Sequence, residues 1–374
     1  MSKTLCRYLV AGLLCAVATA RGADAPVKFL GAPSCASTGC HGGGGAKQNQ
    51  FLTWSLKDFH SQRPTATLTT ARSKQIADTL EIKDPTADVR CTTCHAPLHD
   101  VPENLRGEHF KASEGVSCEG CHGAAENWLR SHTRHDFMRA DRTAAGMRDL
   151  QNLYVRANTC VACHQVVSRP LLKAGHPELI FELDGQSVAE PKHWSAEKNG
   201  NGAQAWLVGQ AVALRELSWQ LIQLHGVMEL NQRMTETNLL ERVGGVSWVL
   251  RSAFVGEQAD KKFPEDFESV QSWADKLAQE KSDTTWTDQM TRECLARLAS
   301  TASSFSDTRV HQSLHARRAE RLVLALDRLL AAENNHQADA ELNQLFKLAQ
   351  SLPDFDPKAF AATLEKFSAA ITNR

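Results

Sequence analysis

The chain has 374 residues, 42% of them hydrophobic, which is enough for a sizeable core and suits two or three domains. Its formal net charge of −1 gives no basis for holding nucleic acid. Tyrosine is scarce at 2, while cysteine and histidine are plentiful at 11 and 15.

Residues 1–22 read as a secretory signal. Lys3 and Arg7 supply a positive start, and an apolar run from Tyr8 to Val17 follows that is too short to span a bilayer. Ala18-Thr19-Ala20 and Ala23-Asp24-Ala25 offer small-residue cleavage sites between 20 and 25. Cys15 follows Leu14, where a lipid-anchor signal takes a small residue. No later stretch has the length of a membrane helix. The expectation is a bacterial protein exported to the periplasm, with no membrane span.

Eight of the remaining cysteines form four units. Cys91-Thr92-Thr93-Cys94-His95, Cys118-Glu119-Gly120-Cys121-His122 and Cys160-Val161-Ala162-Cys163-His164 share the Cys-x-x-Cys-His form of covalent haem c attachment. Each thiol adds to one porphyrin vinyl group, and the following histidine is carried beneath the ring to bind iron. Cys35 to Cys40, followed by His41, is a longer version with four intervening residues, and Gly39 is placed to ease the extra bulge. The pairs Cys91/Cys94 and Cys118/Cys121 also suit a zinc ribbon, and Cys35/Cys40 alone suits a disulfide. A histidine directly after all four second cysteines, in an exported chain, favours four haems. Their propionates would make the loaded protein acidic.

Other predicted elements take their places between and after these units. Gln48 to His60 reads as a helix with Phe51, Trp54 and either Leu52 or Leu56 on one side, and Thr70 to Leu80 as a weaker one. Second axial ligands come from histidine or methionine. His60, His132 and His176 are the first choices, and His99, His109, His135 and His193 the reserve. Asp58 stands where it can orient His60. Met138 and Met147 read as filler.

Lys198-Asn199-Gly200-Asn201-Gly202 marks a boundary between a haem domain (26–197), with little regular secondary structure, and a helical domain (203–374). Beyond it, Leu217, Leu221, Leu224 and Met228 form one apolar stripe. Met290, Cys294, Leu298, Ala302 and Phe305 form a second. Val310 to Leu330 is a third, with Asp307 as its expected cap. The last helix starts at Asp356 and Pro357 and carries Phe360, Leu364 and Phe367. The fold class is mostly α, ending in a bundle of four or five helices. Cys294 reads as an inert core thiol. His311/His315 and Arg317-Arg318 read as solvated helix faces.

The run Gly115-Val116-Ser117-Cys118-Glu119-Gly120-Cys121-His122-Gly123 with His132, and Trp54-Ser55-Leu56-Lys57-Asp58-Phe59-His60, resemble segments of the tetrahaem cytochrome c-554 family. The resemblance spans roughly residues 30 to 195 and implies packed haems with mostly bis-histidine iron. It implies distal roles for His60 and His132, and leaves open a missing sixth ligand at the haem of His95. His176-Pro177 and His193-Trp194 are similar to segments that close an iron in related multihaem cytochromes. The long first motif and the helical second half depart from the pattern.

The function expected is electron transfer between redox partner proteins. The alternatives are a multihaem oxidoreductase acting on small nitrogen or sulfur oxyanions at an open iron, with His99 or Arg90 assisting, and a haem-based gas sensor.

Overall fold

A computed structural model describes residues 26–45, 48–61, 63–194, 202–225, 233–254, 266–350 and 354–372. The signal segment with Cys6 and Cys15, nearly all of the Lys198–Gly202 boundary, and Met228 lie outside the described residues.

The fold is mostly α, with no strand among the described residues. Residues 26–194 form nine short helices. These are α1 (Gln50–Lys57), α2 (Arg63–Thr67), α3 (Ala71–Thr79), α4 (Val89–His95), α5 (Cys118–His122), α6 (Arg139–Ala144), α7 (Leu153–His164), α8 (Arg169–Lys173) and α9 (Leu183–Ala189). Side chains set their starts. Thr70 accepts from the Ser73 amide at α3, Asp88 from that of Arg90 at α4, and Asn152 from that of Val155 at α7.

Seven more α-helices follow among the described residues: α10 (Gly202–His225), α11 (Arg233–Phe254), α12 (Phe267–Asp283), α13 (Asp288–Ala299), α14 (Gln312–Ala332), α15 (Asp339–Ala349) and α16 (Pro357–Thr372). More helices form than the four or five expected, since α12 and α15 also carry apolar stripes, Val270, Ala274 and Leu277 on one and Leu342, Leu345 and Ala349 on the other. The expected stripes are buried, Cys294, Leu298 and Phe305 on one and Leu322, Leu326 and Leu329 on the next. Asp356 caps α16 as read, accepting from the amides of Lys358 and Ala359 at 2.9 and 3.2 Å.

Three local readings are corrected. His311, not Asp307, caps α14, accepting from the Ser313 amide. His315 is buried, with its ring 5.7 Å from Phe305 and its Nε2 3.1 Å from the Asp307 carbonyl. Arg317 is packed rather than solvated, its side chain 15% exposed, and Arg318 lies over the Trp248 ring at 5.6 Å.

Helix α10 is apolar nearly all round and therefore central. Trp206, Leu207, Val208, Leu214, Leu217 and Leu221 are fully buried. It packs against α11, α12 and α14, and also against α7 and α9 of the first half. Helices α11 and α14 approach closely at Gly245, where a Cβ would stand 2.9 Å from the Arg317 carbonyl oxygen. The core does not stop at the boundary segment. Leu153, Ala157 and Val161, four residues apart along α7, join it, as do Phe181 and Leu183.

Candidate functional site

The three strict motifs each form the final turns of a helix, α4, α5 and α7, and each helix ends on the motif histidine. At helical pitch, residues i, i+3 and i+4 share a face. Both sulfurs and the imidazole of each motif therefore point to the same side. The longer motif reaches a similar result by a turn. Cys40 N donates to Ser37 O at 2.9 Å, and His41 N donates back to Cys35 O at 3.2 Å. Gly39 has open space where a Cβ would be, so the bend does not need it. Gly42 is the required glycine, since a Cβ there would sit 1.9 Å from the Ala36 carbonyl oxygen.

The sulfurs link the motifs in an order. Cys35 is a hydrogen-bond partner of Cys118, and Cys94 of Cys163. Burial pushes the Cys121 and Cys160 thiols up to about 12, and the two are near enough for the charge of Cys160 to be felt at Cys121. Numbered along the chain, the motifs are thus neighbours in the order one, three, four, two. Among the described residues no set of cysteines converges on a point as a zinc site needs.

The histidines come together in pairs. The rings of His41 and His132 lie 6.1 Å apart between centroids, and those of His60 and His164 lie 6.0 Å apart. Two imidazoles on opposite sides of one metal ion sit about 6 Å apart, from a bond of about 2 Å and about 1 Å more to each ring centre. His176 is a charged-group neighbour of His95, and His193 of His122. Burial pushes His122 down to about 4, with His193 and His41 adding to the effect. His99 instead pairs with Asp100 at 2.9 Å.

Ring nitrogens give the same division of labour. A carbonyl or carboxylate oxygen only accepts, so a ring nitrogen against one carries the proton. His95 Nδ1 donates to Pro64 O at 2.9 Å, His132 Nδ1 to Leu129 O at 2.6 Å, His176 Nδ1 to Pro177 O at 2.9 Å and His193 Nδ1 to Pro191 O at 3.4 Å. His60 Nδ1 donates to Asp58 at 3.1 Å, and His41 Nδ1 to Gln50 Oε1 at 2.9 Å. Each leaves Nε2 as the basic nitrogen, the form in which imidazole binds metal. At His164 the neighbour is Gln186 Nε2, at 3.3 Å, while Gln186 Oε1 is buried without a partner among the described residues. Turning that amide end for end makes His164 a donor too.

Two polar groups brace the arrangement. Glu119, inside the third motif, is buried and accepts from the amides of Leu30, Gly31 and Ala125 at 2.9, 2.7 and 2.8 Å, binding the segment before the first motif to the third. Arg148 donates to the Gly120 carbonyl at 2.6 Å, at the end of α5. Asp58, Glu190 and His193 also cluster, with their ligating atoms within 4.8 Å. Burial pushes Glu190 up to about 7, and the charge of Asp58 adds to this. Asp58 is committed to His60 and His193 to Pro191, so the cluster orients ligands and is not a separate metal site.

Sequence reading offered these eight histidines as candidates without saying which approach one another, and missed Glu119, Gln50 and Gln186 as braces. No helix among the described residues is long and apolar enough to cross a membrane.

Paired cysteines with an imidazole on the same helical face define a c-type cytochrome, a protein of electron transfer with covalently held haem. Residues 34–123 match the family model described as cytochrome c554 and c-prime, which supports a c-type cytochrome similar to that family. The match takes in the first three motifs and ends before the fourth. No curated protein and no solved structure gives a match to the chain.

Proposed function

We propose that this is an exported carrier of electrons with four haem c groups, bonded at Cys35/Cys40, Cys91/Cys94, Cys118/Cys121 and Cys160/Cys163. The observation that carries the proposal is the approach of a second histidine to a motif histidine: the rings of His41 and His132 stand 6.1 Å apart and those of His164 and His60 6.0 Å apart, while His176 lies within electrostatic reach of His95 and His193 of His122. Haem bound at each site supplies an iron that takes up and passes on one electron. The chain's part is to hold two imidazoles per iron, to fix the tautomer through Nδ1 at all of them but His122, whose buried Nδ1 has no partner among the described residues, and to keep both ligands in place when the charge changes. The motif order one, three, four, two makes the first and second sites the ends of the row, where redox partners would dock. His176 beside His95 supports this reading over an oxyanion reductase or gas sensor, because either of those needs an open position.

The test is the ferric spectrum of the full holoprotein. Only low-spin signals are expected, and His60→Ala should turn one site in four high-spin. A high-spin site in the unaltered protein would favour the enzyme or sensor reading, and a silent His60→Ala would remove that ligand.

A further inference from the structure

The segment from His176 to Glu182, between α8 and α9, has no secondary structure. Beyond Pro177, side chains of the bundle hold it. Glu178 bonds Arg242 of α11 at 3.0 Å and Arg317 of α14 at 3.1 Å. Arg242 also donates to the Leu179 carbonyl at 2.7 Å, and Arg321 to that of Phe181 at 3.3 Å. Three arginines converge on one strap, with Arg242 and Arg321 both buried. Such a cluster of like charge in a packed interior is costly unless neutralised, and Glu178 does this from the strap for Arg242 and Arg317, with Glu320 of α14 also 3.4 Å from Arg317. The other end of the strap is His176. Its backbone amide is tied to Leu171 O at 2.9 Å, and Pro177 stiffens the link to Glu178 by fixing its own φ and confining the residue before it.

We propose that Arg242 and Arg317 are positioning residues for the second haem site: by clamping Glu178 they hold His176, which would supply the second ligand to an iron held by His95. The inference rests on the axial reading of His176 given above and assigns the helical half a part in it. The bundle would in this way keep two histidines on the iron of the terminal site, and loosening the clamp would open that site to a small ligand.

The experiment compares ferric spectra of full-length holoprotein variants, with cyanide as the probe. His176→Ala should make one site fully high-spin and cyanide-binding. Glu178→Gln should raise the high-spin fraction of that same site roughly tenfold or more, the shift that losing about 1.4 kcal/mol of clamping produces. A triple variant, Glu178→Gln with Arg242→Met and Arg317→Met, removes the charges of the clamp together and should show the same gain with unchanged helicity. It decides the matter if Glu178→Gln alone fails to fold. A high-spin His176→Ala beside fully low-spin clamp variants would overturn the clamp and leave the axial pair standing. A low-spin His176→Ala would overturn both.

Discussion

Glu119 illustrates how one side chain can bear on two attachment sites. Its carboxylate accepts three backbone amides, from Leu30, Gly31 and Ala125, while its own residue sits between the cysteines of the third motif. Glu119→Gln replaces one acceptor oxygen by an NH2 group facing an amide donor. The expected cost is about 1–3 kcal/mol, read as a lower melting temperature of the holoprotein, with all attachment sites still filled. An unchanged melt would show that these bonds do not support the fold. The site's composition was legible at this scale because thioether chemistry demands a fixed local spacing of cysteine and histidine. Asp58 beside His60 was legible for the same reason, being two residues away. The pairing of His41 with His132 and of His60 with His164 was not, because partners separated by about a hundred residues meet only through tertiary packing.

Among elements, α9 joins the bundle to the fourth site: it starts at buried Glu182 and carries Gln186 to His164. Burial pushes Glu182 up to about 7 and Asp184 up to about 6. At Glu182 the charge of Asp184 adds to the rise, while Arg328 and Arg321 oppose it. The folded chain keeps protons here that the unfolded chain has released. This contribution to stability is full below the ordinary carboxylate range and is lost as pH rises through about 6 to 7. Glu182→Gln should therefore stabilise the protein by about 1–3 kcal/mol at pH 8 and have little effect near pH 4. Urea titrations at the two pH values check this, and equal effects at both would refute it. Apolar stripes made α13, α14 and α16 readable in advance. The cap of α14 was misread because Asp307 suits a cap by type, yet its carboxylate is taken by the Arg309 amide and guanidinium. Arg317 was taken for a solvated residue because a charge run does not reveal a buried partner such as Glu178.

Across the whole molecule, polar and glycine-rich composition near residue 200 suggested a boundary, and it gave no sign of the core shared across it. Leu153, Ala157, Val161, Phe181 and Leu183 precede that boundary and are buried with the bundle. Their contribution to the core appears only when α7 and α9 are laid against α10. Phe181→Ala should cost the full chain about 3–5 kcal/mol, the loss of a fully buried aromatic, and should lower the melt of the bundle and the fourth site together. Separate melts for the two would contradict a shared core. The attachment count is the claim on which the function depends. Its most direct measurement is the intact mass of the purified, denatured protein, where only covalently held cofactor survives. The expected value is the processed polypeptide plus four haems; a mass equal to the bare polypeptide, or one carrying fewer than four, would contradict the account.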